Sequence, residues 1–202
     1  MKRDEAIQKL RTLIGGRNLH DLAAEYGVSV SGPSGKVNKG WAGHVFERHL
    51  GLPLNSSRSP NFGSWELKSV PLKRNKNGNL SIKETIAVTM IDPHNVCETD
   101  FQDSHLLAKL RKLVIVARIV GNTAKDPTVV HSVVKFNLQG ELYTAVEKDY
   151  NEIRETIENR GFNALTGKMG VYIQPRTKGP GHGSVSRAFY ARKQFLAKFI
   201  KL

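Results

Sequence analysis

A single cysteine, Cys97, stands among 202 residues, so no internal disulfide is possible. With no signal-peptide pattern at its start, the chain is expected in a reducing, cytoplasmic setting. No apolar run approaches the roughly 20 residues that cross a bilayer, so no membrane partner is expected. The seven histidines and one cysteine show no tight metal-ligand spacing, which argues against a structural zinc site. Acidic residues are scarce as well. Eighteen Asp and Glu face thirty-one Lys and Arg, a formal charge of +13. That deficit favours a polyanionic partner, bound through phosphate contacts and counterion release. A soluble basic protein, or an RNA-binding one, would show the same balance. The apolar content is that of an ordinary globular protein, and the length suits one domain with a full core.

What is present concentrates between Gly40 and Leu72. Glu66 and Lys68 lie two apart in an apolar run. In a strand, such residues project to the same face, so an acid and an amine would stand side by side. Upstream, Glu47 falls in a segment with helical spacing (Trp41, Val45, Leu50) closed by Gly51. Between them, Asn61 follows Ser-Arg-Ser-Pro in a predicted loop. An acid on a helix, a short polar residue on a turn and Glu-x-Lys on a strand suit Mg²⁺-dependent phosphodiester hydrolysis. Hard cations take carboxylate oxygens, Mg²⁺ keeps several waters, and one water can become the nucleophile. Standing alone, Glu-Leu-Lys reads as well as a solvated strand face.

The surroundings carry more. Lys39-Gly40-Trp41-x-Gly43-x-x-x-Glu47, then Leu50-Gly51, Phe62 and Glu66-Leu67-Lys68-Ser69-Val70-Pro71 resemble the MutH family. That family comprises the mismatch-repair nicking endonuclease and its restriction-enzyme relatives in the PD-(D/E)xK nuclease superfamily. The resemblance covers most of the chain. It implies that Glu66, Glu47 and the position of Asn61 hold the metal and that Lys68 acts on the attacking water. One departure matters: Asn61 stands where the family has a metal-bridging aspartate. Asparagine keeps a carbonyl oxygen and loses the charge. We read this as an inactivated variant; a natural member with weakened or rerouted metal binding is the competing reading.

The resemblance continues downstream. The segment from Ser104-His105 to Lys109-Leu110-Arg111-Lys112 is similar to one that feeds a core strand in the family, which implies that Lys109 approaches the active site. Capping or packing is the expectation for His105. Val171 to Lys178 matches a strand ending in a polar-Pro-basic tripeptide, here Gln174-Pro175-Arg176. In relatives this part reads bases in the major groove, which implies DNA contacts for Gln174, Pro175, Arg176 and Lys178. Gln174 replaces an arginine. Glutamine pairs with adenine where arginine prefers guanine, so the recognised sequence need not be the family's GATC. Arg187-x-Phe189-Tyr190-x-Arg192-Lys193-x-Phe195 is similar to a further DNA-facing segment, implying contacts by Arg187, Tyr190, Arg192 and Lys193. Tyr190 matches a tyrosine that senses adenine methylation in the repair enzyme.

Periodicity supplies the frame. Residues 3–14 and 18–26 read as packing helices with glycine stops, and 28–39 as a polar, glycine-rich loop. Asn77-Gly78 signals a hairpin, with a returning strand from Ile82 to Ile91. A basic helix leads from residue 103 to 112, followed by a buried strand over 113–120. A strand over 129–136, a long helix over 141–160 and a basic amphipathic helix over 192–201 complete the reading. The expectation is an α/β restriction-endonuclease-like fold: a central mixed sheet flanked by helices, in two lobes around a DNA cleft. One domain spans 1–202, with a helical part (about 1–39), a catalytic core (about 40–120) and a DNA-reading part (about 121–202). The expected function is a Mg²⁺-dependent, sequence-specific DNA endonuclease leaving 5′-phosphate ends, a type II restriction enzyme acting on double-stranded DNA as a monomer. A MutH-type nickase with a MutL-type activator is one alternative. A DNA-binding protein that does not cut is the other.

Overall fold

A computed structural model describes residues 1–52, 63–123, 126–179 and 185–202. Seven helices and seven strands are found among them. They run α1 (Arg3–Arg11), α2 (Leu19–Glu25), α3 (Trp41–His49), β1 (Glu66–Arg74), β2 (Leu80–Ile82), β3 (Ile86–Met90), α4 (Pro93–Glu98), α5 (His105–Leu110), β4 (Lys112–Ile119), β5 (Val129–Asn137), α6 (Gly140–Arg160), β6 (Ile173–Thr177), β7 (Arg187–Ala191) and α7 (Lys193–Leu196).

The main sheet is mixed, in the order β2-β1-β4-β5. β1 and β4 pair in parallel, from Glu66 opposite Leu113 to Leu72 opposite Ile119. β2 and β5 add antiparallel edges. A parallel pair needs a crossover that spans the sheet, and here β3, α4 and α5 lie within it. Both faces of β1 and β4 are covered, which is why they read as near-continuous apolar runs. The pleat sorts them. Leu67, Val114 and Val116 face a core built with α1, α2 and α3. Val70, Leu72, Leu113, Ile115 and Ala117 face a second core built with α4, α5, α6 and the smaller sheet.

That smaller sheet is antiparallel, in the order β3-β7-β6. The run from Ile82 to Ile91, expected as one returning strand, is split. β2 closes the hairpin on β1, whose turn holds Gly78 at φ 80°. The chain then crosses at Lys83–Thr85 and β3 joins the other sheet beside β7. Of Ile86, Val88 and Met90, only Val88 is buried, and a register shift interrupts the strand between Ala87 and Thr89. The tail also departs from expectation: only Lys193–Leu196 is helical, where a helix over 192–201 was expected. The sequence reading assigned no element to residues 93–98, which form α4, capped by Asp92 and begun by Pro93. Asp and a following Pro are an ordinary helix start.

One buried carboxylate ties α6 to β6. Asp149 is 2% exposed and accepts three backbone N–H groups: Val171 at 2.6 Å, Tyr172 at 2.6 Å and Ile173 at 2.7 Å. Gly170 enters this turn at φ 70°, where an added Cβ would lie 1.8 Å from the Ile173 oxygen. Glycine is required here for two reasons, conformation and space. The next residue of α6, Tyr150, donates its hydroxyl to Thr99 O at 2.8 Å. Burial pushes its phenol up to about 12.

Candidate active site

β1 opens on Glu66, whose side chain is almost completely buried. As the i, i+2 spacing requires, Lys68 stands on the same face, its Nζ 2.9 Å from Glu66 Oε1. The other oxygen, Oε2, lies 3.0 Å from Nζ of Lys109. Lys109 comes from α5, which Ser104 starts by accepting the N–H of Leu107 at 3.1 Å. Leu106, Leu107 and Leu110 anchor α5 in the core. Lys109 shares their side of the helix, which leaves it 5% exposed. Lys68 also donates to Val88 O of β3 at 3.4 Å. β1, β3 and α5, remote in sequence, therefore meet around the pair of Glu66 and Lys68.

The charge pattern is chemically specific. Burying an ion is costly unless it is paired, and here one anion is shared by two ammonium groups. The trio carries a formal net charge of +1, a suitable environment for a phosphodiester. Glu47 is also buried, on α3, and α3 packs against β1. Its position follows from the helix pattern: Ala42, Val45 and Phe46 form the apolar stripe, and Glu47 flanks it. Asn61 lies outside the described residues. Among the described residues, no group of three or more His, Cys, Asp or Glu side chains is arranged to hold a metal.

The residues singled out for DNA contact divide into two kinds. Gln174 and Pro175 are buried inside β6, opposite Tyr190 and Phe189 of β7. Arg176 and Lys178 are exposed at the end of that strand. Arg176 stacks over the Tyr190 ring at 5.8 Å and donates to Thr85 Oγ1 at 3.2 Å. Arg192 donates to Gly167 O at 2.9 Å and Met169 O at 2.8 Å. Arg187 donates to Asn163 O at 3.2 Å and lies over Phe162. These two arginines fasten the turn before β6. Lys193 is exposed on α7. His105 is the first residue of α5; the cap itself is Ser104.

Comparison with known proteins shows the family. The family described as DNA mismatch repair enzyme MutH matches residues 50–155, just over half of the chain. The chain belongs to the MutH family. Membership agrees with the α/β, restriction-endonuclease-like fold, a mixed sheet flanked by helices. Among relatives, the type II restriction enzyme Sau3AI of Staphylococcus aureus is 26% identical over 183 residues, covering 86% of this chain. This chain spans only 37% of that enzyme. The DNA mismatch repair protein MutH of Vibrio cholerae is 26% identical, covering 93% of this chain and 90% of the relative. A solved complex of the restriction endonuclease MvaI with cognate DNA aligns with 90% of this chain at 13% identity and a TM-score of 0.37.

Two features escaped the sequence reading. The Val88 carbonyl is a backbone group with no sequence signal. Arg118 had one, a lone cation in the apolar run Leu113–Val120, and it bears on a separate site described below. Among the described residues, no helix is long and apolar enough to cross a membrane.

Proposed function

We propose that the chain is a DNA endonuclease of the MutH and type II restriction class, hydrolysing phosphodiester bonds at Glu66, Lys68 and Lys109. The observation that carries this reading is the buried Glu66 carboxylate gripped by two ammonium groups, on the Glu-Leu-Lys strand of a MutH-family chain. Water attacks phosphorus, the bond to the 3′ oxygen breaks, that oxygen takes a proton, and a 5′-phosphate remains. Lys68, the more accessible amine, orients the attacking water and offsets phosphate charge. Lys109 holds Glu66 in place from the protein side.

The donor set fits a hard divalent cation in part. Glu66 and Glu47 are buried carboxylates, the ligand type that Mg²⁺ takes. Mg²⁺ would be held by Glu66, with Glu47 on the ion or its waters and the Asn61 carbonyl oxygen as the weakest member. When bound, it supplies charge neutralisation and activation of the attacking water. Asparagine at position 61 removes a charge from that set, so the chain as written is an impaired enzyme. The basic surface of Arg176, Lys178 and Lys193, with Tyr190 beside Arg176, would follow the DNA of a monomeric enzyme, in a cleft between two lobes.

The test is cleavage of plasmid DNA with Mg²⁺ by the chain as written and by Asn61→Asp. Little cutting is expected from the first, and discrete fragments or nicks from the second. Equal cutting by both would remove Asn61 from the metal site. No cutting by either, with or without a MutL-type activator, would leave a protein that binds DNA without cleaving it.

The repair reading stands beside the restriction reading on one observation: the chain is 26% identical to the Vibrio cholerae mismatch repair protein and 26% identical to the restriction enzyme. A nickase of the repair type would prefer hemimethylated sites and respond to a MutL-type partner. A restriction enzyme would do neither.

A further inference from the structure

On the sheet face opposite Glu66 lies a cavity of about 280 Å³ whose lining includes Trp41, Lys39, Lys83, Glu84 and Arg118. Arg118 lies past a register shift in β4, between Ala117 and Arg118. It turns to the side of Ser69 and Trp41. Its Nε donates to Ser69 Oγ at 3.0 Å, and its guanidinium lies 5.7 Å from the centre of the Trp41 ring. The residue is only 9% exposed.

A guanidinium has five N–H donors in a fixed fork. Among the described residues, Arg118 uses one of them in a hydrogen bond and has no ion pair. A buried cation of this kind is expected to be paired. Glu84 lines the same cavity and acts on Arg118 from beyond ion-pair contact. Three cations thus face one carboxylate, a formal excess of +2. Burial lowers the guanidinium to about 10, so it stays charged at neutral pH and its charge remains to be matched. The fork suits a planar pair of oxygens on one tetrahedral anion, and lysines add point charge from the rim. A phosphate carries about −1.5 to −2 at neutral pH, which matches the excess.

We propose that this cavity is a phosphate-binding site, separate from the Glu66 centre, with Arg118 as its fork and Lys39 and Lys83 as its rim. The phosphate belongs either to the backbone of bound DNA, away from the bond that is cut, or to a free phosphate or phosphomonoester. The inference does not depend on cutting, so a chain that never cleaves can still satisfy it.

The experiment is calorimetric titration of the full chain with inorganic phosphate, at constant ionic strength and without divalent metal. Three proteins are compared: the chain as written, Arg118→Met and Lys83→Met. Lys83 is exposed, so its substitution leaves folding intact even if the Arg118 variant proves insoluble. Saturable binding at one site is expected. It should weaken at least tenfold in Arg118→Met, the loss of a charge-assisted contact, and severalfold in Lys83→Met. The second arm measures affinity for a short duplex across a salt series. If the occupant is a backbone phosphate, each variant lowers the slope of log affinity against log salt by about 1, and inorganic phosphate competes. If it is a free phosphate, duplex affinity is unchanged while phosphate affinity falls. Phosphate binding that survives both substitutions would assign the anion elsewhere and overturn the proposal. So would the absence of phosphate binding together with an unchanged salt slope.

Discussion

Glu66 and Lys109 form a buried pair whose removal can be followed as a thermodynamic cycle. Glu66→Leu takes the carboxylate that the structure sets against both Lys68 and Lys109. Lys68, at 22% side-chain exposure, can turn toward water. Lys109, at 6%, cannot. Breaking a buried pair from one side costs roughly 3–5 kcal/mol, because the remaining charge is stranded. With Lys68 re-solvated, the lower end applies, about 3 kcal/mol. For a chain of this size that is a fall in Tm of about 6–12 °C. Lys109→Met alone leaves Glu66 paired to Lys68, so the expected cost is smaller, about 1–2 kcal/mol. In the double variant an apolar pair replaces an ionic one, and the stability should return to within about 1 kcal/mol of the starting protein. The coupling energy is then at least about 3 kcal/mol, at or above the top of what contacting residues show. Urea unfolding of the four proteins measures it. Additive effects, or a Glu66→Leu variant as stable as the original, would refute the claim that Glu66 organises both lysines. Cleavage, measured in the Asn61→Asp background, should vanish in Glu66→Leu regardless.

Other expectations follow from groups away from that site. Asp149→Asn weakens three short hydrogen bonds to the turn before β6, and a cost of about 2–3 kcal/mol is expected from the urea midpoint. Arg118→Met should raise Tm at pH 7, by about 2–8 °C for a gain of 1–2 kcal/mol. A base lowered to about 10 in the fold is penalised while charged, so the penalty is present at neutral pH. It fades as pH climbs through 10 toward the unfolded value, and the advantage of the variant should shrink over that range. A Tm drop of several degrees would make Arg118 a structural anchor. Tyr150 presents the opposite sign. Its phenol is raised to about 12, so the unfolded chain ionises first and stability falls between pH 10 and 12. Absorbance titration should show one tyrosine ionising late, and Tyr150→Phe should abolish that late step.

The sequence made α1, α2, α3, α6 and the central strands legible because their signals are local. Leu10, Leu22 and Phe46 fall at helical spacing, and the runs around Val70 and Val116 are long and apolar enough for strands covered on both sides. The partnership of Glu66 and Lys68 was legible from the pleat alone. Lys109 was flagged by resemblance, since no spacing links residues 66 and 109. The break at Lys83–Thr85 was not legible. Alternation says that a segment is a strand but is silent on which sheet it joins, a choice settled by long-range packing against Phe189 and Ala191. Gln174 illustrates the same limit. The resemblance implied a DNA contact for it, yet it sits 5% exposed within β6, opposite Tyr190, on the sheet face away from its neighbours Ile173 and Pro175.

The crossing at Lys83–Thr85 decides which backbone meets Lys68. β3 holds the Val88 oxygen against the amine of Lys68, and two residues earlier in the same strand Ile86 and Ala87 pair with Ala191 and Tyr190 of β7. β7 in turn carries the ladder to Gln174 and Arg176 on β6. Val88 is the residue that this ladder skips, between the pairs Ala87–Tyr190 and Thr89–Phe189, and its oxygen faces Lys68 instead. Because the chain changes sheets at Lys83–Thr85, one short strand borders Lys68 on one side and, through β7, the polar edge of Arg176 on the other.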